Sequence, residues 1–263
     1  DITLRALRIL READAVAAED TRRTRKLLSH HGIAAPRLIS LNADAEQRRI
    51  PEILDLLRGG ATVALVSDAG TPGNADPGGA LVAAAHQAGL RVSPVPGPSA
   101  VAAAMSACGA ISDRFAFEGF LPRSGEKRRR RLAALAAEDR PVVLFESPRR
   151  VRATLADLRD ACGGARRVSL HREQTKVFEE ILAAPLADFA DGRIQAPEIG
   201  EYTIVVMPGP ETARVPDTDG AAIARALDIL ESHGLSGRDA VSAAAALLGA
   251  PRSAVYDISR TRG

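Results

Sequence analysis

Cysteine is nearly missing from this 263-residue chain: only Cys108 and Cys162 occur, both in small-residue surroundings at expected helix ends. That argues against a disulfide framework and against a zinc site. Long apolar runs are lacking too. With no uninterrupted apolar stretch long enough to span a bilayer, and no basic segment leading into an apolar one near the amino end, neither a membrane span nor a signal peptide is expected. The cytoplasm is the expected compartment. His30, His31, His86, His171 and His233 have no metal-ligand spacing, so no metal is expected. Gly-x-Ser-x-Gly, Gly-x-x-x-x-Gly-Lys-Ser/Thr and Gly-x-Gly-x-x-Gly are also lacking, which removes the simplest hydrolase, P-loop and dinucleotide readings.

Lysine is scarce while arginine is not: 32 of the 35 basic residues are arginine, and the net charge is only +2. A partner preference must therefore come from clustering. The arginine excess itself fits the codon bias of a chain rich in Ala, Gly, Arg and Pro. The run Lys127, Arg128, Arg129, Arg130, Arg131 is different, because adjacent like charges repel unless a polyanion compensates them. A solvated helix face is the competing account.

The first half alternates helix and strand. Helices are expected from the Thr3 cap to Glu12, over Thr21–His31, Glu46–Leu57, Gly79–Gln87 and Ser99–Cys108, with strands at Ala15–Ala18, Leu38–Leu41, Thr62–Val66 and Arg91–Val95. That spacing implies right-handed crossovers and a mainly parallel sheet. After a linker at Gly109–Asp113, a second α/β unit is expected: strand Phe115–Phe117, helix Gly125–Ala137, strand Pro141–Phe145, helix Pro148–Ala161, strand Arg167–His171 and strand Glu201–Met207. The alternation in the last strand suggests one less buried side. A polar linker, Pro208–Asp219, leads to three short helices, Gly220–Glu231, Ser236–Leu248 and Pro251–Ser259, two of them joined at Gly249 in a helix-turn-helix outline. The domains are thus 1–111, 112–209 and 217–263.

The stretch from Val63 to Gly79 carries most chemistry. An apolar strand runs into a loop where Gly70, Gly73 and Gly78 let a ligand approach the backbone, and where Asp68 and Asp76 offer acceptors suited to ribose hydroxyls or an amino group. Val95-Pro-Gly-Pro-Ser-Ala100 is a second rigid loop expected at the same crevice. Ala18-Glu-Asp-Thr-Arg22 closes the first strand, Phe145-Glu-Ser-Pro-Arg-Arg150 repeats that strand-to-helix geometry, and Leu170-His-Arg-Glu-Gln-Thr-Lys176 puts both signs of charge after another strand. Asp20 can equally be a helix cap, and the remaining charges ordinary surface pairs.

Taken in order, Ala18-Glu-Asp-Thr-Arg22, Val66-Ser-Asp-Ala-Gly-Thr-Pro72 with Asp76-Pro-Gly78, Pro96-Gly-Pro98, Glu118-Gly-Phe-Leu-Pro122, Glu146-Ser-Pro148 and Arg172-Glu-x-Thr-Lys176 closely resemble the bacterial small-subunit (16S) ribosomal RNA cytidine 2′-O-methyltransferase I family, a branch of the tetrapyrrole methylase superfamily. The resemblance spans the whole chain. It implies two α/β units of tetrapyrrole methylase type with a helical extension, a homodimer, S-adenosylmethionine as cofactor, and a decoding-region cytidine of 16S ribosomal RNA as substrate. The family's opening strand and Pro-x-Pro-Ile-Gly-Asn loop would precede the segment matching Asp1, so the sequence reads as a shortened chain. Arg149 stands where the family usually has His, and Ile199 where a Lys often stands.

Under that resemblance Asp68, Ala69, Gly70, Thr71, Asp76, Pro98, Ser99 and Ala100 would hold the cofactor. Glu19, Asp20 or Glu146 would accept the 2′-hydroxyl proton. Arg22, Arg172, Lys176 and the Lys127–Arg131 run would contact RNA. A tetrapyrrole-precursor methylase and a non-catalytic RNA-binding assembly factor are the alternatives; the basic run and helical tail favour RNA.

Overall fold

In the computed structural model the described residues are 1–73, 75–209, 220–248, 250 and 252–261. They form two compact units, Asp1–Pro208 and Gly209–Gly263. The expected linker Pro208–Asp219, from residue 210 on, and the turn positions Gly249 and Pro251 lie outside the described residues.

The first unit opens with α1 (Leu4–Glu12), β1 (Ala15–Ala18), α2 (Thr21–His30), β2 (Arg37–Ser40), α3 (Glu46–Arg58), β3 (Val63–Val66), α4 (Gly79–Gln87) and α5 (Ala100–Ala107). The three strands make a parallel sheet in the order β2-β1-β3. All four residues of β1 are buried, and their alternate sides feed two cores. Ala15 and Ala17 pack with Ile39, Leu41, Ile53 and Leu81. Val16 and Ala18 pack with Leu10, Leu28 and Ile33. Small side chains on the central strand let helices close on both faces, as a buried parallel sheet requires.

The expected strand Arg91–Val95 does not form, and this corrects the sequence reading. The segment has no regular secondary structure and makes no ladder bonds, and β3 pairs only with β1. Strand-like composition cannot supply hydrogen bonds without a neighbour to give them.

The same unit continues with β4 (Ala116–Phe120), α6 (Gly125–Ala137), β5 (Val142–Glu146), α7 (Val151–Cys162), β6 (Arg167–Arg172), β7 (Glu180–Pro185), α8 (Leu186–Ala190) and β8 (Tyr202–Val206). The second sheet has the order β4-β5-β8-β6-β7; only β4 and β5 run parallel. One face carries Leu144, Leu170 and Ile204 against Leu132, Leu155 and Leu158. On the other, Val143 and Val205 meet Val101 and Ala104 of α5. Thus α5 begins at the first half's Pro96 loop and covers the second half's sheet. It also overturns one expectation: β8 is buried along all five residues, because α5 covers the side expected to be more open.

In the second unit α9 (Gly220–Ser232), α10 (Gly237–Leu248) and α11 (Arg252–Thr261) enclose Ile223, Leu227, Val241, Ala244 and Val255. Among the described residues no helix is long and apolar enough to cross a membrane.

Candidate active site

Ala18 is paired with Val66 across β1 and β3, so the segments that follow leave the sheet side by side. Asp68 ties them together. Its Oδ1 accepts the Asp20 backbone N–H at 3.2 Å, its Oδ2 lies 3.2 Å from Nη1 of Arg23, and its own N–H donates to Oε2 of Glu19 at 3.1 Å. Asp20 caps α2: Oδ1 accepts the Arg22 N–H at 2.8 Å and Nε of the same residue at 3.2 Å, while Oδ2 accepts Nη2 at 2.9 Å. Those bonds to Arg22, above all from its side chain, hold the Asp20 carboxyl down to about 2. A carboxylate so stabilised is a weak proton acceptor. Glu19 keeps Oε1 without a hydrogen bond among the described residues.

Asp76 behaves oppositely. Burial, and then the nearby negative charge of Glu19, push its carboxyl above the ordinary carboxylate value; a hydrogen bond from Ser67 opposes this, and Asp68 adds to it. Three carboxylates therefore share a region that Arg23 only partly neutralises.

The other loops close around it. Thr71 donates its hydroxyl to the Pro98 carbonyl at 3.3 Å, and a Cβ at Gly70, whose φ is +74°, would lie 3.5 Å from that same oxygen. Ser99 caps α5 by accepting the Ala102 N–H at 3.4 Å. From the second half, a Cβ at Gly119 of β4 would stand 3.7 Å from Ala75. The Gln174 amide, oriented by its partners, donates to the Ala100 carbonyl at 3.3 Å and accepts the Ala104 N–H at 3.2 Å. The Asp68–Gly78, Pro96–Ala100, β4 and Arg172–Lys176 segments thus meet in one place. Among the described residues the non-glycine positions of positive φ are Ala75 at 69°, Glu173 at 51° and Thr175 at 65°, all in these loops. Backbone strain concentrated this way is a mark of functional loops, and no residue type in the sequence signals it.

Other candidates are placed differently. Glu146 is 3 % exposed and fully engaged: Oε1 accepts the Ser147 N–H at 2.8 Å, Oε2 accepts the Thr154 hydroxyl at 2.6 Å, and Nη2 of Arg150 is 3.4 Å away. Its chemistry is that of an internal strut. Arg128, expected to face RNA, is turned inward. It is 8 % exposed, with Nε on Asp157 at 2.7 Å, Nη1 on the Pro122 carbonyl at 2.9 Å and Nη2 on the Thr154 hydroxyl at 3.0 Å. The rest of the run is on solvent, yet Arg129 and Arg130 pair with Glu126, and Arg131 with Glu118. Internal carboxylates thus do much of the compensation that the sequence reading assigned to a polyanion. Arg172 pairs with Glu180 at 3.1 Å; Lys176 bridges Glu173 at 2.7 Å and Glu201 at 2.9 Å. Arg22 is exposed beside Asp20.

Glu46 escaped the sequence reading except as a helix start. Its Oε1 accepts N–H groups of Gly78, Ala80 and Leu81 at 3.0, 3.0 and 3.3 Å, so α3 caps α4 and fixes the turn after Asp76. A contact between two helices leaves no spacing signal.

The arrangement suits a particular ligand. Clustered carboxylates at glycine-opened backbone favour hydroxyl and ammonium donors or a cation, and disfavour phosphate. The two sheets are joined through α5, and loops from both meet around Ala75, Pro98 and Ala100. Residues 1–190 match the family described as Tetrapyrrole (Corrin/Porphyrin) Methylases. The protein named Ribosomal RNA small subunit methyltransferase I from Pseudomonas aeruginosa is 43 % identical over 258 residues, 97 % of this chain and 90 % of that protein. That of Thermotoga maritima is 45 % identical over 206 residues, 78 % of this chain and 91 % of that protein. The uroporphyrin-III C-methyltransferase from Thermus thermophilus, solved with S-adenosylhomocysteine, superposes with a TM-score of 0.53 at 20 % identity, over 78 % of this chain and 90 % of that one. The chain belongs to the tetrapyrrole methylases and, within them, to the ribosomal RNA small subunit methyltransferase I family. As a member it is an S-adenosylmethionine-dependent methyltransferase.

Proposed function

We propose that the chain methylates the ribose 2′-hydroxyl of a cytidine in the 16S ribosomal RNA of the small subunit, in the decoding region. The single observation that carries this reading is the likeness to ribosomal RNA methyltransferases along 97 % of the chain. The first α/β part, to about residue 111, binds the cofactor; the part from 112 to 209 completes the crevice; the helical extension from 217 adds RNA contacts.

Bound S-adenosylmethionine supplies an electrophilic methyl group carried on a cationic sulfur. Asp68 and Asp76 accept hydrogen bonds from its hydroxyl or amino groups, while the backbone of Ala69, Gly70, Thr71, Pro98, Ser99 and Ala100 lines the approach. Glu19 takes the 2′-hydroxyl proton, since Asp20 is held ionised by Arg22 and Glu146 is sealed among Ser147, Thr154 and Arg150. Arg22 and Lys127, with Arg129, Arg130 and Arg131 once drawn from their acidic partners, meet phosphates; Arg172 and Lys176 hold the 172–176 loop in shape. The protein works in the cytoplasm as a homodimer, for which the exposed Val177, Phe178 and Ile181 offer apolar surface.

Methyl-labelled S-adenosylmethionine incubated with the chain and small ribosomal subunits lacking the modification tests the reading. Label mapped to a cytidine 2′-oxygen is the expected result. Label on a base, on a tetrapyrrole precursor instead of RNA, or on nothing while RNA is bound would each refute it.

A further inference from the structure

In the helical unit Glu231, Arg238, Val241, Arg252, Tyr256 and Ser259 line a cleft of about 670 Å³. That is room for a nucleotide with part of its neighbours. Tyr256 is the only Phe, Tyr or Trp after Tyr202, and it stands 51 % exposed. An isolated aromatic ring left half in water gains little for folding and offers a flat apolar face. Around it, Arg238 and Arg252 have no ion-pair partner among the described residues, whereas Arg128, Arg129, Arg130 and Arg131 of α6 are all paired. Unpaired guanidinium groups beside a free ring are the chemistry of single-stranded nucleic acid binding: stacking for the base, charge for the flanking phosphates.

We infer that this cleft is a subsite for one unpaired nucleotide of RNA, its base stacked on Tyr256, its phosphates met by Arg238 and Arg252, and an exocyclic amino group within the reach of Glu231. The inference rests on the RNA reading above and names where, outside the crevice, the substrate is gripped.

Tyrosine emission reads it directly, because the chain has no Trp and its other tyrosine, Tyr202, is 3 % exposed. The full chain is titrated with a single-stranded oligoribonucleotide of about ten nucleotides, a length within known single-strand site sizes. Binding quenches the emission. By anisotropy of the labelled oligonucleotide, Tyr256→Ala weakens affinity about tenfold while Tyr256→Phe retains it. Arg238→Gln and Arg252→Gln weaken binding and each lowers the steepness of its salt dependence. Melting curves confirm that the variants fold. Unchanged affinity in Tyr256→Ala and both arginine variants, or binding without quenching, would overturn the subsite. Methyl transfer to small subunits is measured in parallel. If the parent labels ribosomal RNA and Tyr256→Ala keeps the parent's KM, the subsite fails and the function stands. A parent that labels no ribosomal RNA refutes the function, and the titration still decides the subsite.

Discussion

The carboxylate of Glu46 reaches from α3 to the Gly78 backbone N–H, 3.0 Å away, and the same oxygen also accepts the N–H groups of Ala80 and Leu81. One side chain thereby satisfies three of the donors that the start of α4 leaves open, and its charge sits at the positive end of that helix. Glu46→Ala is expected to lower stability by about 2 kcal/mol, the scale of lost charge-assisted caps. It should also raise the dissociation constant for S-adenosylmethionine, because the Asp76 turn loses its anchor. Chemical denaturation and calorimetric titration check both halves; a destabilised variant with unaltered cofactor affinity would separate Glu46 from the site.

Gly78 has a second constraint. Its φ is +121°, and a Cβ there would lie 2.6 Å from Cδ2 of Leu65 on β3. Gly78→Ala must strain the backbone and push a partly buried leucine of the first sheet. A loss of about 1–3 kcal/mol is expected from strain alone. The melting temperature tests it, with Gly73→Ala as the comparison, since Gly73 shares a positive φ but has nothing within 4 Å of the added carbon.

These two residues also mark how far the sequence could be read. Gly78 was legible as a loop glycine because its residue type signals its backbone. Glu46 was not, since its partners are more than thirty positions away and helical spacing predicts only its own helix. The same division holds elsewhere. Strands β1 and β3 announced themselves by apolar runs, while β7 was missed because Glu180-Ile-Leu-Ala-Ala-Pro185 has one β-branched residue and is recognisable only as the partner of β6. Arg91–Val95 failed in the opposite sense, carrying strand composition without a partner. In the site, motif order marked the loops, but whether Glu146 and Arg128 face the crevice or the core depends on Thr154, a residue of α7 that no motif includes.

Asp76 predicts a pH effect of definite sign. Burial and the Glu19 charge raise its carboxyl above the unfolded value, so at low pH, with the proton bound in both states, the group is neutral in its effect. As pH rises through the carboxylate range the unfolded chain releases its proton first, and stability falls until the folded value is passed. Asp76→Asn is therefore expected to melt higher than the parent at pH 7, with the difference shrinking as pH is lowered below the carboxylate range. Cofactor affinity should fall in the same variant, a trade of function against stability. Parallel melting series at several pH values test this. A variant less stable at pH 7 than at low pH, relative to the parent, would contradict it.

The three carboxylates of the sequence reading can be told apart by the quantity each perturbs. Glu19 combines an oxygen that is unbonded among the described residues with an anchor to the Asp68 N–H, so Glu19→Gln should lower kcat by about 10²–10⁴, the range for loss of a general base, with cofactor affinity nearly unchanged. Asp20→Asn keeps the cap but frees Arg22, and its effect should fall on KM for RNA and on salt dependence, with kcat close to the parent's. Glu146→Gln acts through folding: removing the charge that faces Arg150 and Thr154 in a sealed site should cost about 2 kcal/mol or more and lower the melting temperature, while the fraction that folds retains turnover. Steady-state kinetics normalised to folded protein, together with melting curves, resolve the three. Equal losses of kcat in Glu19→Gln and Asp20→Asn would mean that the pair positions the Asp68 loop as a unit, and that neither accepts the proton.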